Sequence, residues 1–200
     1  MHTTHLLYLH GFRSSPQSAK ARLMAQHMAT HHPQVQWLCP QLPPSPRAAM
    51  DWIDQATADW PAASMAVVGS SLGGYYATWV AEQRACRAVL LNPAVEPARD
   101  LAQYIGAQTQ FHAPEEHFYF QPEYVQELRA LRAGALQHPA HYLCIIARGD
   151  EVLDWREMHA RYAQTQVLLQ DGGDHALSNF ADYLPAVMAH LGQSPHVSIV

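Results

Sequence analysis

The sequence predicts an α/β protein built on a parallel sheet of about six strands. Two observations carry that expectation. Short apolar runs rich in β-branched or aromatic residues recur along the chain, and the stretches between them have helical character, which is the alternation that generates a parallel sheet. Composition agrees: 200 residues, 48% hydrophobic and only 14% charged, suit one domain with a sizeable core spanning 1–200, not a disordered or disulfide-stapled chain.

The strands are expected at 5–9 (His-Leu-Leu-Tyr-Leu), 35–39, 65–68, 88–91, 142–147 and 166–169. Capping chemistry marks the helix starts between them. Ser15-Pro16 opens a helix to about Thr30, because serine accepts from an orphan backbone N–H and proline at the first helical position gives up no hydrogen bond. Ser45-Pro46 repeats the device for a helix to about Asp59, and Asp154 with Glu157 forms a capping-box-like start for the helix carrying Trp155 and Tyr162. From Asn92-Pro93 to His141 no strand is evident, and the segment collects Tyr104, Phe111, Phe118, Tyr119, Phe120 and Tyr124. Connections that long are usually lids or binding insertions. It reads as a small helical cap at about 96–138, with helices near 97–105 and 122–132, and the residues from Gly192 on read as a loose tail.

The strongest motif is Gly69-Ser70-Ser71-Leu72-Gly73, between the apolar run Met-Ala-Val-Val and a helix-compatible stretch to Glu82. G-x-S-x-G in a strand, sharp turn, helix context thrusts its serine out at the strand's C-terminal end. Glycines 69 and 73 leave room where the two backbones approach each other. Ser71 is thus a candidate nucleophile. A serine nucleophile also needs donors for a developing oxyanion. His10-Gly11-Phe12 closes the first strand, so the N–H groups of Phe12 and Leu72 are the candidate pair, with His10 shaping the loop.

An acid and a histidine must follow in chain order. Arg148-Gly149-Asp150-Glu151-Val152-Leu153-Asp154 follows the fifth strand and Gly172-Gly173-Asp174-His175 the sixth, both at the sheet edge that carries Ser71. His175 is the candidate base. Asp150 is the preferred acid: Asp154 already has a helix to cap, Asp174 is too near His175 in sequence to reach its far nitrogen, and Glu151 points away if Asp150 points in.

Taken together, Tyr8-Leu-His-Gly-Phe-Arg-Ser-Ser-Pro-Gln-Ser-Ala-Lys-Ala21, the block 69–78, Leu91-Asn-Pro-Ala-Val95, Gly149-Asp-Glu-Val-Leu-Asp154 and Gly172-Gly-Asp-His-Ala176 resemble the YqiA-type esterases, small bacterial α/β-hydrolases. The resemblance implies the α/β-hydrolase fold with strand order 2-1-3-4-5-6 and helices on both faces. It also implies a Ser71–Asp150–His175 triad acting through an acyl-enzyme on short-chain acyl esters, with acyl-CoA thioesters as a further class, and no cofactor. The match is weakest over 104–137, and Leu177 stands where an aromatic residue is expected. The alternative is a non-catalytic interaction protein on a hydrolase scaffold, although such chains typically lose a triad residue and here all three are present.

Other classes fit poorly. With 12 basic and 17 acidic residues, and Lys20 the sole lysine, no basic stripe exists for nucleic acid. Cys39, Cys86 and Cys144 show no metal or disulfide spacing, and there is neither a signal-peptide pattern nor a membrane-spanning run, so a cytoplasmic enzyme on a small-molecule substrate is expected. Of fourteen histidines, His27 and His31 have i, i+4 spacing but no evident third ligand, and they read as solvent-facing. Arg13 reads as a surface residue at a helix entry, with contact to an anionic substrate group as its other possible role.

Overall fold

The computed structural model describes residues 2–193. Its main sheet is six parallel strands, β1 (His5–Leu9), β2 (Gln36–Leu38), β3 (Met65–Ser70), β4 (Arg87–Leu91), β7 (Tyr142–Ala147) and β8 (Gln166–Gln170), in the spatial order β2-β1-β3-β4-β7-β8. Counted along this sheet alone, that is the expected 2-1-3-4-5-6. The central strands are buried on both faces, so they read as unbroken apolar runs; β3 and β7 have no exposed residue.

Side chains alternate between two core layers. Leu6 and Tyr8 of β1 point with Ala66 and Val68 of β3 toward α1 (Ala19–His31) and α7 (Leu184–His190). Leu7, Leu9 and Val67 point the other way, toward α2 (Pro46–Ala56), α3 (Leu72–Arg84) and α6 (Trp155–Arg161). Each fully buried leucine or methionine side chain contributes about 1.5–3 kcal/mol. Leu177, where an aromatic was expected, is buried with Phe180 and Val187 in the first layer.

The capping signals are met with shifts. Ser45 Oγ accepts from Ala48 N–H, but α2 ends at Ala56 rather than near Asp59. Ser15 does not open α1: its Oγ accepts from Gln17 N–H and its carbonyl from Ser18 N–H, closing a turn before the helix starts at Ala19. Asp154 caps α6 through Arg156 N–H, whereas Glu157 is held by the Arg99 guanidinium.

The segment between β4 and β7 holds helical turns and a hairpin. Of the two helices expected, the second is α5 (Pro122–Ala130), while the first is a single turn, α4 (Pro97–Asp100), followed by a 3₁₀ turn at Ala102–Tyr104. Between them β5 (Gly106–Thr109) and β6 (His117–Phe120) pair antiparallel. Phe118 and Phe120 alternate inward and Tyr119 outward, and the inward rings pack edge-on against Phe12 at 6.0 and 5.3 Å. Arg13 is half-buried rather than a free surface residue: its guanidinium donates to the Thr109 carbonyl and hydroxyl and lies over the Phe111 ring, tying β5 to the loop after β1. The chain is not loose at Gly192, since Gln193 is buried and donates to the Thr3 carbonyl; the rest of the expected tail, 194–200, lies outside the described residues.

Candidate active site

Ser71 occupies the one-residue turn between β3 and α3 with φ 56° and ψ −121°, a conformation that costs a non-glycine residue on the order of 1–3 kcal/mol. The neighbouring packing enforces it. A Cβ on Gly69 would lie 2.1 Å from the Gly73 carbonyl oxygen, and one on Gly73 would lie 2.0 Å from that of Leu9. The Ser71 carbonyl accepts from Gly74 and Ala94 N–H, and its own N–H donates to Leu91, so the turn is pinned on three sides.

Two loops bring the other groups to this turn. The loops after β7 and β8 touch backbone to backbone: Gly149 N–H donates to the Gly172 carbonyl, and a Gly149 Cβ would sit 2.3 Å from the Gly173 oxygen. Gly172 and Gly173 both have positive φ, which lets the second loop fold back on the first. His175 Nδ1 is thereby 2.8 Å from Asp150 Oδ2, and His175 Nε2 is 3.0 Å from Ser71 Oγ. A carboxylate only accepts, so the Nδ1 proton faces Asp150 and the Nε2 lone pair faces the serine hydroxyl. The Asp150 side chain is fully buried, and its Oδ1 accepts from Val152 and Leu153 N–H at 2.8 Å each.

None of the three competing carboxylates meets the His175 ring, although Glu151, expected to point away, turns toward the same residue. Asp154 caps α6, Asp174 accepts from the Ser178 N–H and hydroxyl, and Glu151 accepts from the backbone N–H of His175. Ser178 accordingly holds the Asp174 carboxyl below its ordinary range.

Gly11 passes directly over the serine, its notional Cβ 3.2 Å from Ser71 Cβ. Among the described residues no hydrogen bond from Phe12 N–H or Leu72 N–H is found, which leaves both candidate oxyanion donors available. His10 fixes this loop. Its Nε2 accepts from Leu42 N–H at 3.1 Å, so the proton is on Nδ1 and is donated to the Gly11 carbonyl at 2.9 Å. Burial keeps that imidazole neutral by lowering its pKa, as the hydrogen bond accepted from Leu42 N–H requires.

Two residues with no role expected from sequence complete the surroundings. Asn92, fully buried at φ 41°, donates from Nδ2 to the carbonyls of Asp174 and His175 and accepts at Oδ1 from Ala147 N–H. It thus bolts the histidine loop to the end of β7. Lys20 reaches from α1 to the Ala176 carbonyl, and burial pushes its ammonium down to about 8 despite the nearby Asp174 and Asp150.

His27, His31 and His32 gather ring against ring at the C-terminal end of α1, yet among the described residues no group of histidine, cysteine or acidic side chains is arranged to hold a metal. The three cysteines are free, and burial pushes each thiol up to about 12, far from a reactive thiolate. No helix among the described residues is long and apolar enough to cross a membrane.

A parallel sheet with this strand order, flanked by helices on both faces and carrying a serine on the β3–α3 turn, defines the α/β-hydrolase fold. The chain belongs to the uncharacterised protein family UPF0227, the YqiA family its motifs resemble, whose model matches residues 5–192. Solved structures share the fold at low identity. A putative hydrolase from Agrobacterium vitis S4 matches with TM-score 0.71 and 18% identity, covering 96% of this chain and 91% of that one. One of the metagenome-derived lipolytic enzymes LipS and LipT matches at 0.69 and 16%, covering 96% and 95%. Est1E from Butyrivibrio proteoclasticus, bound to ferulic acid, matches at 0.68 and 11%, covering 96% and 88%.

Proposed function

We propose that this chain is a serine hydrolase of short-chain acyl esters, with acyl-CoA thioesters as a second substrate class. The observation that carries the reading is the unbroken hydrogen-bonded line from Ser71 Oγ through the His175 imidazole to the buried Asp150 carboxylate. In this scheme Ser71 Oγ attacks the acyl carbonyl as its proton passes to His175 Nε2, and the carbonyl oxygen takes the negative charge facing Phe12 and Leu72 N–H. Asp150 orients the ring and stabilises the imidazolium without itself taking the proton. The carbon–oxygen bond to the leaving group then breaks, and the His175 proton moves to the departing alkoxide. Water, deprotonated by the same imidazole, releases the acid and restores the serine hydroxyl.

The elements 96–138 act in this reading as a cap on the single hydrolase domain, closing over Phe12 through Phe118, Phe120 and Tyr104. An apolar-sided cleft of about 400 Å³ between Leu72, Tyr76, Phe118, Trp52 and the Pro43-Pro44 turn provides room for a short acyl chain. Neither a cofactor nor a nucleic-acid partner is required, and the reaction suits a cytoplasmic enzyme. Turnover of para-nitrophenyl esters and acyl-CoAs of graded chain length tests the proposal. Hydrolysis that peaks at short chains and vanishes in Ser71→Ala supports it, and a chain inert toward every member overturns it.

A further inference from the structure

A second cleft, of about 290 Å³, opens on the other side of the Gly11–Phe12 loop and is bordered by Ser71, His175, Ala176, Lys20, Ser18 and Tyr8. Its polar groups are underused. The Lys20 ammonium carries three donors, of which the Ala176 carbonyl takes one. Ser18 stands at the N-cap of the thirteen-residue α1, yet its hydroxyl makes no capping hydrogen bond. The Tyr8 hydroxyl, on a fully buried side chain, has no hydrogen-bond partner of good geometry, although Ser18 is close enough to influence its ionisation. A buried hydroxyl left unpaired is unfavourable, and a ligand oxygen would give it a partner.

The side of the site is also defined. His175 gives its proton to the leaving group, so the leaving group departs over the imidazole. Lys20 is bonded to the carbonyl of the residue immediately after that imidazole and borders the same cleft as His175. Lys20 is the only lysine or arginine among the residues bordering this cleft, and Asp150 and Asp174 are near enough to act on its charge. One cation with two carboxylates close by matches a single negative charge better than the double charge of a phosphate monoester.

We propose that Lys20, with the Tyr8 and Ser18 hydroxyls and the N-terminus of α1, forms a subsite for a carboxylate on the leaving alcohol of the substrate. The preferred substrates are then acyl esters of hydroxy acids, an inference that rests on the esterase reading for its chemistry but not for its binding. An isolated ammonium–carboxylate contact in a half-buried cleft is worth about tenfold or more in selectivity.

The test pairs para-carboxyphenyl butyrate with its neutral isostere para-carbamoylphenyl butyrate, and para-nitrophenyl hydrogen succinate with para-nitrophenyl succinamate, so that the carboxylate sits on the alcohol in one pair and on the acyl group in the other. The wild-type chain is expected to favour the carboxylated member of the first pair in kcat/KM. Lys20→Gln is expected to reduce that ratio about tenfold through KM, and Lys20→Arg to restore it. A lysine that merely props the histidine loop would lower both esters together and leave the ratio unchanged, which overturns the proposal. A Lys20-dependent ratio confined to the second pair overturns the assignment to the leaving group. Calorimetric binding of the first pair to Ser71→Ala protein, with and without Lys20→Gln, needs no turnover. Lys20-dependent preference there, with no hydrolysis by the wild-type chain, upholds the subsite and defeats the esterase reading; equal binding of both esters defeats the subsite.

Discussion

Replacing Asn92 by aspartate keeps the shape of a fully buried side chain and changes one donor group into an acceptor. The native amide makes three hydrogen bonds: Nδ2 to the Asp174 and His175 carbonyls at 3.0 and 3.2 Å, and Oδ1 from Ala147 N–H at 2.8 Å. Aspartate retains the third and loses the first two. Two lost hydrogen bonds at a net 0.5–1.5 kcal/mol each amount to about 1–3 kcal/mol, and a carboxyl oxygen facing two carbonyls in a buried site adds to that. A destabilisation of about 3 kcal/mol is expected, measured as a fall in the urea midpoint at unchanged slope. Because the lost bonds hold the loop carrying His175, kcat toward para-nitrophenyl butyrate is expected to fall by tenfold or more in molecules that remain folded, with KM nearly unaltered. A variant within about 0.5 kcal/mol of wild type and within threefold in kcat would refute the assignment of Asn92 as the bolt of that loop.

Three further outcomes follow from the geometry. Asp150→Asn is expected to lower kcat on the order of 10⁴, the loss that accompanies the wrong imidazole tautomer, whereas Asp154→Asn keeps a capping side chain and most of the activity; the reverse ranking in a steady-state assay would exchange their roles. Gly73→Ala drives a methyl group to 2.0 Å from the Leu9 carbonyl oxygen, so soluble expression and circular dichroism should show a chain that is unfolded or severely destabilised. Burial lowers the pKa of His10 and His190, so below about pH 6.5 the unfolded chain binds protons that the native one refuses, and stability falls with falling pH. Thermal unfolding should therefore give a lower Tm at pH 5 than at pH 7.5, with a shallower dependence in His10→Gln; an unchanged dependence would contradict the neutral His10 described above.

The main sheet was legible because its central strands are buried on both faces: Met65–Val68 and Tyr142–Ala147 have no polar side to confuse them with an amphipathic helix. Helix starts were less so, since Ser-Pro serves equally to cap a helix, as at Ser45, or to close a turn, as at Ser15. The β5–β6 hairpin escaped because four-residue strands offer only two inward positions, Phe118 and Phe120, too few for a period of two to stand out. The groups gathered at Ser71 were legible for a common reason, each lying in a glycine-framed loop just past a strand. Asn92, Glu151 and Lys20 were not. Their partners are backbone groups of residues remote in sequence, brought near only by the crossing of β4, β7 and α1, and no local pattern records such a bond. Arg13 was misread for the same reason, its partner Thr109 being on a hairpin not foreseen.

The central claim, that the Ser71 hydroxyl is an activated nucleophile, is tested most directly by covalent labelling with a fluorophosphonate followed by peptide mass spectrometry. The hydrogen-bonded line to His175 and Asp150 predicts rapid, stoichiometric labelling at Ser71 alone, slowed by orders of magnitude in His175→Ala and absent in Ser71→Ala. A wild-type chain that stays unlabelled, or a Ser71→Ala chain that labels equally, would contradict it.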